Sequence, residues 1–493
     1  MKESDRNSYG NIFKATALFG GVRVFQILIN ILRAKLIALL IGPMGMGISN
    51  LLKSTLDTVN HITGCGLQTS AVRDVAKSYE TKNQDRIDVV ITSLRLLVWI
   101  TGIIGTAIVF FGSEYLSVFA FGNHNYSVAF KYLSIVMFAT QLNTGQVALL
   151  QGTFRYKELA RCSIVGNALS LILTIPLYFF FREKGIVPAL IIASLVTLYF
   201  SWQASKKVTY HYVRLSLSSL WQESKGMLSL GIVLAIGGLI GNLSSYLMNI
   251  FLSHQGTLND VGLYTAAMTI ANSYIFLVMT AMSTDYVPRL SALNGQDNVQ
   301  NETINKQIVL IMCILLPMIV ALMVFSKEVI RILYSSEFMS VTRMLELFMV
   351  GMFIQAVTWC LSYAVVARGD SKLFLLTEIY NFIISISLKI MGFIFAGLTG
   401  IGVAFIIDYV FEVGLIYYIC HKHYHFAFSR ESGSIFIVGL LCAFVTLTVI
   451  TLTSSVLRYV LGSLCFILVL CYSYWILNSK LGISGKISRL LKR

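Results

Sequence analysis

The sequence predicts an all-α integral membrane protein of about fourteen transmembrane helices, and three observations carry that prediction. Of the 493 residues, 56% are hydrophobic and only 12% are charged, whereas a water-soluble chain carries about 25% charged residues. Apolar stretches of 18 residues or more recur along the whole length, each long enough to cross a hydrocarbon core of about 30 Å as a helix. The polar connections between them are short, which leaves no room for a separate soluble domain; the mean hydropathy of +0.75 agrees.

In chain order the predicted spans cover 12–41, 47–68, 89–111, 126–150, 159–180, 185–203, 227–252, 261–286, 308–325, 341–366, 373–395, 399–420, 435–452 and 459–477. The first is too long for the apolar core of a cleaved signal peptide and is read as a retained helix. An even number of spans puts both termini on one side. Strict alternation then assigns 24 of the 38 basic residues to the loops of that side and five to the other (Arg182, Lys184, Lys327, Arg331 and Arg458), the remaining nine lying within spans. Basic loops stay in the cytoplasm, so the N and C termini are both expected there. The net charge of +15 is thus a topological signal, and no nucleic acid partner is expected. The basic, amphipathic tail 480–493 is expected to lie on the anionic lipids of the inner leaflet.

Sliding the chain on itself by 215 residues pairs Gly47 with Gly262, Lys157 with Lys372 and Phe119 with Tyr334. These coincidences suggest two parallel-related six-helix lobes, 1–215 and 216–421, about an axis along the membrane normal, with two extra helices and the tail in 422–493. Such lobes enclose a central cleft and can rock around it. Pro176 and Pro317 fall inside spans, as hinges or static kinks. The eight cysteines are scattered and mostly apolar packing residues; neither a metal nor another cofactor is expected.

The two six-helix halves plus two helices, the first helix carrying Arg23 and Arg33 and ending at Gly42-Pro43-Met44-Gly45, and the Val-Gly-Leu-Tyr-Thr-Ala-Ala run at 261–267 together resemble the polysaccharide exporters of the multidrug/oligosaccharidyl-lipid/polysaccharide (MOP) exporter superfamily. Within it the chain is similar to the O-antigen (Wzx-type) flippases. The resemblance implies a multi-pass protein of the bacterial inner (plasma) membrane that moves an undecaprenyl-diphosphate-linked oligosaccharide, an O-antigen or other surface polysaccharide unit, from the cytoplasmic to the periplasmic leaflet. It also implies polymerase or glycosyltransferase neighbours. No catalytic motif defines that family, so it assigns no residue a role.

Ionisable side chains within spans are costly in lipid and are functional candidates by default. Arg23 lies eleven residues into the first span, roughly 16 Å deep at 1.5 Å per residue. Lys53, Asp57 and His61 recur at i, i+4 and i+8 and form one helical stripe, which is expected to line the cleft. Arg23 and Lys53 would supply the delocalised positive charge that a diphosphate needs to leave water. Asn242, Tyr246, Asn249 and Tyr264 suit sugar hydroxyls. Arg33 and Lys35 are expected to snorkel from the first span, as is Lys131 from the fourth; Arg95 and Asp285 sit near cytoplasmic ends.

In the second half, Glu378 and Lys389 share a face, and Asp408 and Glu412 lie four residues apart at mid-depth. Like charges held that close raise one another's affinity for a proton or a cation. Glu378, Asp408 and Glu412 form a candidate H+ or Na+ coupling site, with a structural network through Lys389 as the equal alternative. Arg343 and Glu346 are expected to pair.

Rival readings are a multidrug cation exporter or a lipid II flippase of the same superfamily and, from another class, a membrane enzyme of polysaccharide assembly. Asp57 is the only deep acid of the first half, which disfavours a drug-cation site, and the short outer loops disfavour an enzyme. The His421, His423 and His425 spacing does not share a helical face and reads as an interfacial loop. No phosphate-binding loop with its lysine is present, so ATP is not expected to drive transport directly.

Overall fold

A computed structural model describes the backbone of residues 3–81, 83–453 and 455–481, and side chains from Phe25 onward apart from scattered positions. All its regular structure is helical among these residues, as a chain in lipid requires, because only an intrahelical ladder or a closed barrel satisfies every backbone amide there. Nine stretches of described residues are long and apolar enough to cross a membrane. The basic tail beyond Leu481 lies outside the described residues.

The chain divides into two compact units, Met1–Gly262 and Leu263–Arg493. Unit 1 begins with α1 (Glu3–Thr63), which is two helices joined at Gly42, whose φ of 65° and ψ of −170° suit a residue without a Cβ. Then come α2 (Leu67–Glu80), α3 (Gln84–Phe111), α4 (Ser113–Phe121), α5 (Ser127–Gly152), α6 (Tyr156–Phe181), α7 (Ile186–Ser205) and α8 (Leu217–Gln255). Side-chain caps fix two starts: Asn83 accepts from the Arg86 N–H ahead of α3, and Ser216 from the Ser219 N–H ahead of α8. An apolar core of the unit gathers Leu67, Val75, Ile91, Leu149 and Met227 from four helices. The connection after α7 is extended. It is held to α3 by Asp88, which accepts from the His211 N–H at 3.0 Å and meets its ring at 3.2 Å.

Helix α9 (Leu258–Ala292) runs from the end of unit 1 into unit 2. Its first turn crosses α1 at backbone distance: a Cβ on Gly47 would lie 2.1 Å from the Leu258 carbonyl oxygen, and one on Gly262 would lie 1.9 Å from that of Pro43. Unit 2 continues with α10 (Asp297–Val324), α11 (Ser326–Leu333), α12 (Thr342–Ala367), α13 (Ser371–Tyr424), α14 (Arg430–Leu452) and α15 (Ser455–Leu481). Helix α13 is also two helices, broken at Ala396 and Gly397. Its legs fold back so tightly that a Cβ on Gly400 would sit 1.8 Å from the Gly392 carbonyl oxygen.

Element bounds repeat along the chain. From α5 to α12 the first residue moves from 127 to 342 and the last from 152 to 367, both steps of 215 residues; α6 at 156 and α13 at 371 keep the same step. The short α4 and α11 stand at equivalent places. Pro176 and Pro317 sit inside uninterrupted α6 and α10, and both chain breaks fall at glycine instead. Arg458, counted from the sequence among the outer-loop residues, belongs to the first turn of α15 and is buried.

Candidate substrate cavity and buried ion network

Unit 1 holds a cavity of about 310 Å3 walled by α1, α5, α6 and α7. Its cations are Arg33 on the first leg of α1 and Lys53 on the second; Asp57 is its only acid among the described residues. Hydroxyls and amides supply most of the remaining polarity, including Asn60, Thr140, Asn167, Ser170 and Thr197. Lys53 and Asp57 are exposed by area because they wall an open hollow one helical turn apart. Such a surface can hold an anion between two cations and hydrogen-bond a polyhydroxylated group beside it.

Arg33 corrects the expectation of snorkelling. The face of α1 that packs on α6 carries it into the cavity, where its Nη2 donates to Ser170 Oγ at 2.8 Å. Its Nε is buried without a hydrogen-bond partner. The Ser170 hydroxyl itself donates to the Asn167 carbonyl at 2.9 Å, which leaves its oxygen free to accept from Arg33. Arg23 lies on α1, but its side chain is outside the described residues. His61 meets α8 instead of the cavity: its Nε2 is 3.1 Å from the Asn242 amide, and it is not among the residues that line the cavity.

The four residues read as sugar partners are also placed. Asn242 is engaged by His61 and donates to the Gly238 carbonyl at 3.1 Å. Tyr246 is buried and donates to Thr55 Oγ1 at 3.0 Å. Asn249 is buried, and Tyr264 is buried against Phe348 in unit 2. The hydroxyl wall that sequence reasoning missed is legible as a stripe on α6: Asn167, Ser170 and Thr174 recur at i, i+3 and i+7 in the apolar part of the helix beyond Ser163.

In unit 2 the hairpin of α13 brings its two legs side by side. Lys389 Nζ donates to Ser385 Oγ at 2.5 Å, Ser385 donates to Asp408 Oδ2 at 2.6 Å, and Lys389 reaches Asp408 at 3.5 Å. Both ions are buried. Asp408, Glu378 and Lys389 are the charged groups around Glu412; Asp408 is paired with Lys389, while Glu378 and Glu412 are half-buried with no ion pair among the described residues. Elsewhere in the unit, Glu346 is shared by two arginines. Arg458 Nη2 donates to its Oε1 at 2.7 Å, Ser326 Oγ donates to the same oxygen at 2.9 Å, and Arg343 approaches its Oε2 at 3.4 Å. The expected Arg343–Glu346 contact is thus the outer edge of a buried network. His421 and His423 end α13 and His425 caps it at a φ of 52°.

Residues 36–343 match the polysaccharide biosynthesis protein family, well over half of the chain. The chain belongs to that family. Residues 242–470 also match the lipid II flippase MurJ family. The lipid III flippase of Escherichia coli (strain K12) is 22% identical over 385 residues, which cover 76% of this chain and 89% of that protein. A putative O-antigen transporter of Shigella flexneri is 22% identical over 342 residues, 68% of this chain and 79% of its own. In fold, the chain resembles lipid II flippase MurJ in an inward closed conformation, with a TM-score of 0.67 at 15% identity over 95% of this chain and 99% of the other. It also resembles an inward-facing multidrug resistance MATE family transporter of the MOP superfamily, with a TM-score of 0.66 at 16% identity, covering 80% and 95%. The family member described here is accordingly a multi-pass helical protein of the bacterial inner membrane and a transporter of the flippase type within the MOP superfamily.

Proposed function

We propose that this transporter flips an undecaprenyl-diphosphate-linked oligosaccharide from the cytoplasmic to the periplasmic leaflet by alternating access. The observation that carries the reading is the unit 1 cavity, in which Arg33 and Lys53 face a wall of hydroxyls and amides with one carboxylate. A diphosphate needs fixed positive charge when it leaves water, and arginine binds phosphate oxygens through two parallel N–H groups. Sugar hydroxyls need the alternating donors and acceptors that Asn167, Ser170 and Thr197 offer. The relatives, a lipid III flippase and a putative O-antigen transporter, agree with this cargo. Arg23, two to three turns before Arg33 on the same helix, belongs to the same reading as a second anion contact, as does a layout of two six-helix lobes, 1–215 and 216–421, with two further helices.

The test is flipping of a fluorescent undecaprenyl-diphosphate oligosaccharide in proteoliposomes by wild type, Arg33→Ala, Lys53→Ala and Arg23→Ala. Loss of flipping in well-folded variants supports the reading. No flipping by wild type, together with export of a lipophilic cation, replaces it with the drug-exporter reading; flipping confined to a lipid II headgroup narrows it to that substrate. Coupling to H+ or Na+ is proposed at Glu378 and Glu412 beside the Lys389–Asp408 pair. If Asp408→Asn with Glu412→Gln leaves transport fully sensitive to the ion gradient, coupling does not reside there.

A further inference from the structure

A second hollow of unit 1, about 500 Å3, lies between α3, α5 and α7. It occupies the faces of α5 and α7 opposite the substrate cavity: Thr140 and Thr197 line that cavity, while Leu142 and Leu198 line this groove. Its floor is aliphatic, and its rim is formed by Trp99, Tyr199 and Trp202, all about half exposed. Half-exposed indole and phenol rings around an apolar groove mark the depth at which lipid tails give way to headgroups.

Two cations stand at that depth. Arg95 lines the groove, its guanidinium stacks 4.6 Å from the Tyr210 ring, and its Nε is buried without a hydrogen-bond partner. Lys206 Nζ lies 3.5 Å over the Trp202 ring. Among the described residues neither is paired with a carboxylate. A cation on an apolar lipid-facing surface with no internal counter-charge is costly unless an anion comes to it.

We propose that this groove binds one acidic phospholipid, with its phosphate on Arg95 and Lys206 and an acyl chain along Leu142, Leu149 and Leu198. Basic pockets between helices at the inner interface have the chemistry for such headgroups. The groove lacks the hydroxyl and amide wall of the substrate cavity, offering besides Arg95 only Gln146, the Tyr199 hydroxyl and the indole N–H groups of Trp99 and Trp202, so a large oligosaccharide head finds few partners and a small phosphate head is favoured. The site is independent of what the protein transports.

The test is native mass spectrometry of the full chain in detergent, titrated with phosphatidylglycerol, phosphatidylcholine or a polyprenyl phosphate. Wild type is expected to retain one phosphatidylglycerol in preference to phosphatidylcholine. Removing both charges in Arg95→Gln with Lys206→Gln should lower that retention on the order of tenfold. Leu198→Trp, which fills the groove and leaves both cations in place, should lower it as well, with helical content by circular dichroism confirming that each variant is folded. Equal retention of the two phospholipids by wild type, unchanged retention in the double variant, or loss in the double variant with none in Leu198→Trp would each overturn the site. Preference for the polyprenyl phosphate would overturn the phospholipid as its occupant.

Discussion

Helices α5 and α12 hold equivalent places 215 residues apart, yet 50% of the most apolar stretch of α5 is buried against 89% of that of α12. Beside α5 the space stays open, with Val136, Met137 and Thr140 walling the unit 1 cavity. One step of 215 from Val136 stands Gly351, and the Phe405 ring fills that place so closely that a Cβ on the glycine would meet Cδ1 at 2.4 Å. Phe348 stacks 4.4 Å behind it. The ions differ in the same sense. Ser170 and Ser385 are also one step apart; Ser170 accepts from Arg33, which has no carboxylate partner among the described residues, whereas Ser385 sits between Lys389 and Asp408. Unit 1 thus holds a cavity whose arginine has no ion pair among the described residues, while unit 2 is packed and pairs Lys389 with Asp408 and Arg458 with Glu346 internally.

The largest expected effect tests the packed side. Arg458→Ala leaves the buried Glu346 with the Ser326 hydroxyl and the distant edge of Arg343 as partners and should destabilise the protein by about 3–5 kcal/mol, read as thermal melting in detergent. Arg458→Met with Glu346→Leu should recover most of that loss. On the hollow side, Arg33→Ala should cost transport rather than stability: losing charge-assisted contacts of about 1.5–3 kcal/mol corresponds to roughly a 10- to 100-fold slower flip, with melting nearly unchanged. If Arg33→Ala melts as early as Arg458→Ala, the contrast between the units is broken. Ser170→Ala should be milder, on the order of 1 kcal/mol and a several-fold slower flip, because Arg33 keeps its place and loses one neutral partner. Smallest is Lys480→Ala, which removes a half-exposed pair with Glu431 at 2.9 Å; less than about 1 kcal/mol is expected, and a larger shift in melting would show that charge at the surface of unit 2 matters as much as charge inside it.

The sequence was most legible where a single helix decides the outcome. The long helices appear from hydropathy alone, and the places of Lys53 and Asp57 follow from their spacing of four, since one turn of one helix sets both. Short elements were missed: α2, α4 and α11 are too short to leave a spanning signal, and the first ten residues of α8 are polar, so its start at Leu217 is marked only by the Ser216 cap. Rotation of one helix against another was not legible either. Whether Arg33 reaches lipid or Ser170 depends on which face of α1 meets α6, and the burial of Tyr246 and Tyr264 depends on neighbours nearly 200 residues or about 80 residues away in sequence. The sequence offered a network of Lys389 with these acids as one of two alternatives; which acid it meets follows from the hairpin at Gly397, which sets the register of the two legs.

The crossing of α1 and α9 has a mechanical corollary. Where Gly47 and Gly262 meet, main chain rests on main chain, with no side chain interleaved and no hydrogen bond or ion pair between the two glycines. Bare backbones in contact attract through dispersion over a small area. Separating them would require no rotamer to change and would strip no charge of its partner, whereas a leucine at either position would drive its side chain into the main chain opposite.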